Sequence, residues 1–323
     1  MNNDHKAGII KPVIPVVDAH CDTISAYLSG ERDLVKGSTD GHLDLPRLRQ
    51  GGVTVQFLAS FIETEYKPKL SVIRGLELVE GCRRLIAANP EYLLLLDSYA
   101  DIEKAMNSKR TAALLSVEGG EILGGKLFMV SMLYRLGVRS LCLTWNHANE
   151  IAGGVSEPGG LTKFGVDVIR EMNRLGMLVD VSHLSDKGFW DVLQVSQDPV
   201  IASHSCCRSL CDHPRNLTDE QIKALAQKGG VIGINFYSKF LTGGQAGLND
   251  VVRHIDHICS LVGSDHVGLG SDFDGCGSLP VGLEDVSRLP ALGQALLDKG
   301  YSREEMEKIM GGNFLRVIRK VIG

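Results

Sequence analysis

Short apolar runs rich in β-branched residues alternate along the chain with longer segments whose apolar residues recur at helical spacing. Eight of the short runs predict β-strands. Most of these runs are continuously hydrophobic, which is typical of parallel strands buried on both faces. The strands are predicted at residues 12–19, 52–62, 111–119, 138–145, 177–184, 199–205, 229–237 and 265–273.

The segments between these strands predict helices, two of which begin with clear capping signals. Thr218 precedes two acidic residues, and Ser302 stands three residues before Glu305, the spacing of a capping box. Helices are predicted at residues 70–89, 126–136, 161–175, 186–196, 218–228, 248–262 and 284–299, with another from Ser302.

Eight strands alternating with helices predict an α/β fold, a (β/α)8 TIM-like barrel with additional C-terminal helices. The length of the chain suits one such barrel, so we predict a single domain over residues 1–323. An open doubly wound sheet is the alternative, although it usually has fewer strands.

Composition and charge exclude some classes of partner for this protein. The chain is 44% hydrophobic, has a formal net charge of −5 and contains no basic run, so no nucleic acid partner is expected. No apolar stretch reaches the ~18 residues of a membrane span. The N-terminal sequence MNNDHKAGIIKP lacks the pattern of a secretion signal. We therefore predict a cytoplasmic protein with no membrane partner and with its eight cysteines reduced.

Polar side chains with metal-binding or acid–base chemistry gather at the C-terminal ends of the predicted strands. His20 and Asp22 end the first strand, and they should converge because alternate strand residues point the same way. In TIM barrels this end of the strands carries the active site. The residues at the predicted strand ends are His20, Asp22, Glu118, His183, His204, Tyr237, Asp272 and Asp274.

Three histidines with two or three carboxylates form a ligand set that suits Zn²⁺. The set exceeds what one catalytic zinc uses, so two metals sharing a carboxylate fit it better. Co²⁺ or Mn²⁺ would also suit these ligands. The alternative is that each residue is a hydrogen-bonded structural polar group, which would require a separate partner for every one of them.

Other polar residues are assigned to the surface or to loops. His254 and His257 stand three apart on a predicted helix and are interpreted as solvated. Glu121 and Asp274 are interpreted as loop residues, in preference to residues that support the metal ligands. The glycine-rich loop at residues 150–165 follows strand four, so we predict that it forms part of the wall of the site.

The motifs DAHCDT, SVEGG, DVSHLS, ASHS and GSDFDG, in this order, resemble the membrane (renal) dipeptidase family of zinc peptidases in the amidohydrolase superfamily. GGVTVQFLA and GGNFLRV are also similar to that family, so the resemblance covers nearly the whole chain. It implies a (β/α)8 barrel that hydrolyses dipeptides, including those with a C-terminal D-residue, by attack of a metal-bridging hydroxide. It also implies a dipeptide partner and a homodimer.

The resemblance assigns roles to the residues at the strand ends. It implies that His20 and Asp22 bind one zinc, that His183 and His204 bind the other, and that Glu118 bridges the two. It also implies that Asp272 handles the proton of the metal-bound water.

Substrate contacts follow in the same way, with one departure. Arg215 in HPRNLT matches the arginine that takes the substrate carboxylate, and Tyr237 in INFY matches a substrate-contacting tyrosine. Animal members have a histidine, proposed to steady the oxyanion, where this chain has Trp145; Asn146 or His147 could take that role. Animal members are also secreted and lipid-anchored, and this sequence shows neither signal.

The resemblance and the ligand pattern together predict a dinuclear zinc dipeptidase. Two alternatives remain. One is a related metal-dependent amidohydrolase acting on a cyclic amide, a lactone or an N-acyl amino acid. The other is a catalytically silent metal-binding protein.

Overall fold

The computed structural model describes residues 14–323. The first two residues of the predicted strand 12–19 and the N-terminal segment assessed for a secretion signal therefore lie outside the described residues. The strands are β1 (Val16–Asp18), β2 (Val53–Phe61), β3 (Leu93–Leu95), β4 (Thr111–Glu118), β5 (Val138–Cys142), β6 (Ala152–Gly154), β7 (Glu157–Leu161), β8 (Leu178–Asp180), β9 (Ile201–Ser205), β10 (Val231–Ile234) and β11 (Val267–Leu269).

The helices cover most of the segments between the strands. They are α1 (Thr23–Leu28), α2 (Leu45–Gln50), α3 (Ser71–Ala88), α4 (Tyr99–Asn107), α5 (Phe128–Arg135), α6 (Lys163–Leu175), α7 (Asp186–Val195), α8 (Asp219–Gln227), α9 (Ser238–Leu241), α10 (Leu248–Val262), α11 (Leu289–Lys299), α12 (Arg303–Glu307) and α13 (Asn313–Val321).

Eight parallel strands close into a barrel in the order β2-β1-β11-β10-β9-β8-β5-β4, and β4 pairs back to β2. The closing pair is long, with residues 55–61 of β2 opposite residues 112–118 of β4. Strand β3 lies outside the closure and pairs only with the first three residues of β4, before β5 begins to pair. The (β/α)8 barrel with additional C-terminal helices is thus confirmed, and the closure excludes the open sheet.

Each of the eight predicted strands contains one barrel strand, and the ends of the long helices lie within five residues of their predicted limits. The sequence pattern missed α1, α2, α4 and α9, which are short and show too few apolar repeats to reveal their period. The glycine-rich loop after strand four contains the antiparallel hairpin β6–β7.

An apolar cluster fills the barrel beside the first residues of its strands. Phe57 of β2 packs edge-on against Phe314 of α13, with ring centroids 6.1 Å apart. Val17, Val55 and Ile201, all fully buried, belong to the same cluster. The amino-terminal half of the barrel is therefore packed, and the polar residues lie at the carboxyl ends of the strands.

Within residues 14–323, none of the helices combines the length with the apolar composition that crossing a bilayer requires.

Candidate active site

Three polar residues at the carboxyl end of the barrel hold the left-handed backbone conformation that glycine normally takes. The φ angles are +67° at His183, +63° at Asp272 and +66° at Asp274. Such angles cost free energy in residues with a side chain, and they gather at sites where the surrounding structure enforces them. His183 lies three residues beyond the end of β8, which is shorter than the predicted strand 177–184.

At the end of β1, the carboxylate of Asp18 has a structural role, whereas His20 and Asp22, which follow it, belong to the site. Asp18 is fully buried and accepts hydrogen bonds from the backbone and hydroxyl of Ser271, at 2.8 and 2.7 Å, so it ties β1 to the chain after β11. Beyond it, Cys21 forms a parallel bridge with Phe273. His20 and Asp22 stand on either side of this bridge, and their side chains meet 3.3 Å apart.

Five of the predicted residues converge at the centre of this end of the barrel. Glu118 Oε1 lies 2.7 Å from His183 Nε2 and 3.6 Å from His204 Nε2, and its other oxygen lies 3.5 Å from His20 Nε2. The Nε2 atoms of His183 and His204 are 2.9 Å apart. Residues from four different strand ends thus place their donor atoms around one small space.

Neighbouring polar groups determine which ring nitrogen of two histidines carries a proton. The hydroxyl of Ser203 donates to Asp180, so it can only accept from His204 Nδ1, which lies 2.8 Å away. His183 Nδ1 donates to Asn146 Oδ1 at 2.8 Å. Both neutral rings therefore carry their proton on Nδ1, and their Nε2 lone pairs face each other and the carboxylate. Hydrogen bonds of this kind orient metal-binding histidines in proteins.

Electrostatics keeps these two rings neutral. Burial, together with the nearby Arg215 guanidinium, lowers the pKa of His183 to about 3. Burial and the neighbouring His20 hold the pKa of His204 well below its usual value. His20 differs, because the Asp22 and Glu118 carboxylates overcome the effect of burial and raise its pKa well above the usual range. The centre therefore favours positive charge, while two of its imidazoles are in the form that binds metals.

The residues present fit a metal centre. Among the described residues, the buried atoms His20 Nε2 and Asp22 Oδ1 have no hydrogen-bond partner, and an unpaired buried polar atom is costly. Donor atoms form two groups of three, and the atoms within each group lie within 4.8 Å of one another. The groups are His20, Glu118 and His204, and His20, Asp22 and Asp272. Imidazole nitrogens and carboxylate oxygens at these spacings suit divalent metal ions.

Asp272, predicted as the proton carrier, thus also stands within reach of a metal beside His20 and Asp22. Its Oδ2 accepts a hydrogen bond from Asn235 Nδ2 at 2.9 Å, which orients the carboxyl group. Burial raises its pKa to about 7, against the opposing effect of His20. The backbone of Gly275 packs so closely on the Asp22 and Asp272 carboxylates that a Cβ at this position would collide with both.

A cavity of about 560 Å³ opens above the donor atoms. Arg215 lies in its wall with only 5% of its surface exposed, donates to the backbone oxygen of His204, and has a buried Nε without a partner among the described residues. Tyr237 also lines the cavity. The wall residues outside the predicted set include Phe61, Glu63, His213, Phe240 and Gly275.

The segment after β5 contributes less to the cavity than the sequence predicted. Trp145 and Asn146 line it, but His147 does not. The His147 ring is 55% exposed and lies 3.3 Å from Glu157 on the hairpin. No residue of the hairpin lines the cavity, so the prediction that residues 150–165 form its wall is wrong. The reason is that the hairpin packs outward against α7, with the Ser185 hydroxyl bonded to Gly159.

The side chains of two residues assigned to loops are almost completely shielded from solvent, with 8% of the Asp274 side chain exposed. Asp274 accepts hydrogen bonds from Thr23, Arg32 and the backbone of His42, so it joins three segments beside the site. Glu121 is 8% exposed, and its carboxylate lies 3.3 Å from Lys67 Nζ. The sequence did not reveal these roles because the partners of both residues are distant along the chain.

Asn235 was also missed, although the sequence contained a signal for it. It stands two residues before Tyr237, and alternate strand residues share a face. The same argument that grouped His20 with Asp22 would have found it. His213 lies in an irregular segment and Phe240 in the four-residue helix α9, and no comparable periodicity marks them.

Comparisons with known proteins agree with this geometry. A family model described as membrane dipeptidase (peptidase family M19) matches residues 5–322. Dipeptidase 3 of Mus musculus is 36% identical over 321 aligned residues, which cover 95% of this chain and 64% of the mouse protein. The chain thus spans less than two thirds of the length of this relative.

Two solved structures resemble the chain over almost its full length. One, a metallopeptidase described as dipeptidase AC of family M19, has a TM-score of 0.91 and 30% identity and covers 96% of this chain and 99% of its own. The other is a Rhodobacter sphaeroides metallopeptidase liganded with a phosphinate mimic of the dipeptide L-Ala-D-Ala. It has a TM-score of 0.90 and 28% identity, with coverage of 96% of this chain and 99% of its own.

Proposed function

The chain belongs to the membrane dipeptidase family, peptidase family M19, and from this premise we propose that it is a metal-dependent dipeptidase with two zinc ions. The single observation that carries the proposal is the meeting of the His183 and His204 Nε2 atoms, 2.9 Å apart, at one oxygen of Glu118. Lone pairs so close repel one another, and a shared cation removes that repulsion.

We assign the ligands by their place around Glu118. His20 and Asp22 would hold one metal ion, His183 and His204 the other, and Glu118 would contact both. Bound divalent ions lower the pKa of water and polarise the scissile carbonyl, which is the chemistry that peptide hydrolysis needs. The chain itself supplies the preorganised donors, because Asn146 and Ser203 hold two of the imidazoles in their ligand tautomers.

Asp272 is the group that would carry the proton. A carboxyl group held beside the metal ligands can accept a proton from water and release it again, and in the metal-free centre burial raises its pKa. Asn235 holds one of its oxygens, and the other faces Asp22 and Gly275. Asp272 would take the proton from the attacking water and give it to the leaving amine.

Arg215 gives the site its preference for short substrates. Its guanidinium is buried in the cavity wall, and its Nε has no hydrogen-bond partner among the described residues. A guanidinium can donate two parallel hydrogen bonds to one carboxylate. A dipeptide places its free carboxylate one residue from the scissile bond. A longer peptide would bring an uncharged amide there instead. The liganding of the Rhodobacter sphaeroides enzyme by an L-Ala-D-Ala mimic supports dipeptides with a C-terminal D-residue as substrates.

Metal analysis combined with substrate kinetics tests the proposal. Purified protein should contain about two divalent ions per chain, hydrolyse a dipeptide such as L-Ala-D-Ala, lose the activity on chelation and regain it with zinc. N-acyl amino acids, lactones and cyclic amides form the second substrate panel. Hydrolysis confined to that panel would replace the dipeptidase proposal with the related amidohydrolase. Stoichiometric metal without any hydrolysis would indicate a silent metal-binding protein.

A further inference from the structure

We propose that a second cavity, at the opposite end of the barrel, binds an amphipathic anion: a small molecule with an apolar body and one carboxylate or phosphate group. The cavity has a volume of about 680 Å³ and lies between α2, the start of β2, the end of α4 and the start of β4. It shares no lining residue with the cavity above the metal centre. The proposal therefore does not depend on the proposed function.

The charged side chains that line this second cavity are all positive. Arg49, Lys109 and Arg110 line it, and no aspartate or glutamate does so in the part of the chain that the structure describes. None of the three cations forms an ion pair within residues 14–323. Arg49 and Lys109 are exposed and Arg110 is half-buried, whereas most of the buried or half-buried arginines elsewhere in the protein form ion pairs, such as Arg32 with Asp274. Three unneutralised cations around one concavity favour an anionic ligand.

Two of these cations are held in place while keeping free donors. The Arg49 guanidinium stacks on the Tyr92 ring, 4.1 Å from its centroid, and gives one hydrogen bond to the backbone oxygen of Glu91. Arg110 donates to the Ser108 hydroxyl and to a backbone oxygen. A guanidinium has five N–H donors, so each keeps donors for a ligand. Because they are already ordered, binding an anion costs them little side-chain entropy.

Thr54, Asn107, Ser108 and Thr111 also line the cavity, and the remainder of its wall is largely apolar. Leu45, Leu48 and Val53 are buried and form its floor, and Met106 at the end of α4 is 39% exposed beside them. Methionine adapts readily to the shape of an apolar ligand. The volume lies in the range of small-molecule sites, which combine apolar walls with a few polar groups that fix orientation. An apolar body with a single anionic group matches this arrangement.

Titration calorimetry on the full-length metal-loaded protein tests the proposal with three probes of related structure. Decanoate, below its micelle concentration, carries both the apolar body and the charge; decanol lacks the charge, and acetate lacks the apolar body. Decanoate should bind at one site per chain and at least about tenfold more tightly than either of the others. Decyl phosphate, compared with decanoate, distinguishes a phosphate-bearing ligand from a carboxylate.

Two variants and a control localise the binding. Lys109→Glu reverses one charge and should weaken decanoate binding at least about tenfold. Met106→Trp fills the cavity without changing its charge and should weaken decanoate and decyl phosphate alike. Lys163→Glu reverses an exposed lysine far from the cavity and should leave binding unchanged.

The proposal is overturned if decanoate does not bind, if decanol binds equally well, or if both cavity variants bind decanoate like the parent protein. A Lys109→Glu variant with a lower Tm and unchanged binding would mean that this cation only stabilises the end of α4. If Lys109→Glu fails to fold, the Met106→Trp variant and the three-probe comparison still decide the question.

Discussion

Buried histidines occur in two regions of this protein, and their surroundings differ. His254 of α10 is fully buried, yet both its ring nitrogens have partners: Nδ1 accepts from the backbone of Cys207 at 3.1 Å, and Nε2 donates to the backbone oxygen of Leu241 at 3.0 Å. At the carboxyl end of the barrel, the Nδ1 atoms of His183 and His204 each have a hydrogen-bond partner. Their Nε2 atoms instead point their lone pairs at each other.

The comparison teaches that burial alone does not identify a metal-binding histidine. Burial lowers the pKa of His254 to about 4 and that of His183 to about 3, so both rings are neutral. What separates them is whether the second nitrogen has a donor or acceptor of its own. The sequence interpretation of His254 as solvated was wrong for a related reason, because its partners come from distant segments. Its neighbour His257 pairs with Asp219 at 2.8 Å.

The largest expected effect comes from removing one histidine from each region. His204→Ala should lose bound metal and reduce dipeptide hydrolysis by about 10³-fold or more, because a ligand of the centre is gone. His254→Ala should keep its metal and activity but lose about 1–3 kcal/mol of stability, because Cys207 N and Leu241 O are left unpaired. Elemental analysis and thermal unfolding measure the two outcomes. Metal loss in both variants would break the comparison.

The next prediction separates proton transfer from metal binding within the centre. Asp272→Asn should retain metal and lower kcat by about 10²–10⁴-fold, the range for a general acid–base group. Asp22→Asn, at similar depth, should lose metal as well as activity. Elemental analysis and kinetics at saturating substrate distinguish the two variants. Metal loss in Asp272→Asn would instead make this residue a ligand, which its position near His20 and Asp22 permits.

Arg215→Lys should lower kcat/KM for dipeptides by about 10²-fold, chiefly through KM. A lysine cannot reproduce the paired hydrogen bonds of a guanidinium to a carboxylate. The matched substrate is the same dipeptide with its C-terminal carboxylate amidated, on which parent and variant should differ little. An equal loss on both substrates would contradict the proposed carboxylate contact.

A smaller effect is expected from the residues that orient the imidazoles. Ser203→Ala and Asn146→Ala should each weaken metal affinity by about 10–100-fold while the ligands themselves remain. Competition with a chelator of known affinity measures this. Ser209→Ala is the control from the other region, since its hydroxyl lies 2.9 Å from His257 Nε2. Unchanged metal affinity in Ser203→Ala would show that the hydrogen bonds that link Asp180, Ser203 and His204 do not position the His204 ring.

The smallest expected effect concerns the pH dependence of the metal-free protein. Burial raises the pKa of Asp272 to about 7 from its usual value of 3.8. The stability that its protonated form contributes is therefore complete below pH 3.8 and is lost as the pH rises to about 7. Metal-free Asp272→Asn should thus gain a few degrees in Tm over the parent protein between pH 4 and 7, with no further gain above pH 7. Thermal scans across this range, with Lys163→Glu as the control, measure the difference. A Tm difference that stays constant from pH 4 to 7 would contradict the raised pKa of Asp272.

Much of the fold could be predicted from the sequence because its signals are local. Buried parallel strands require continuous apolar runs, and the helices around them require one apolar face, so both leave periodic patterns in the chain. Alternation along a strand also predicts from the sequence alone that His20 and Asp22 converge. The short helices α1, α2 and α9 were missed because four to six residues are too few to display a helical period.

Only the tertiary structure decided which polar residues act together. The sequence determined a parallel α/β barrel with histidines and carboxylates at its strand ends. It did not show which nitrogens of His183 and His204 face each other, that His147 turns away to Glu157, or that only 8% of the Asp274 side chain is exposed. These outcomes depend on contacts between residues tens to hundreds of positions apart. Side-chain direction at a strand end follows from packing against such neighbours, and no local period records it.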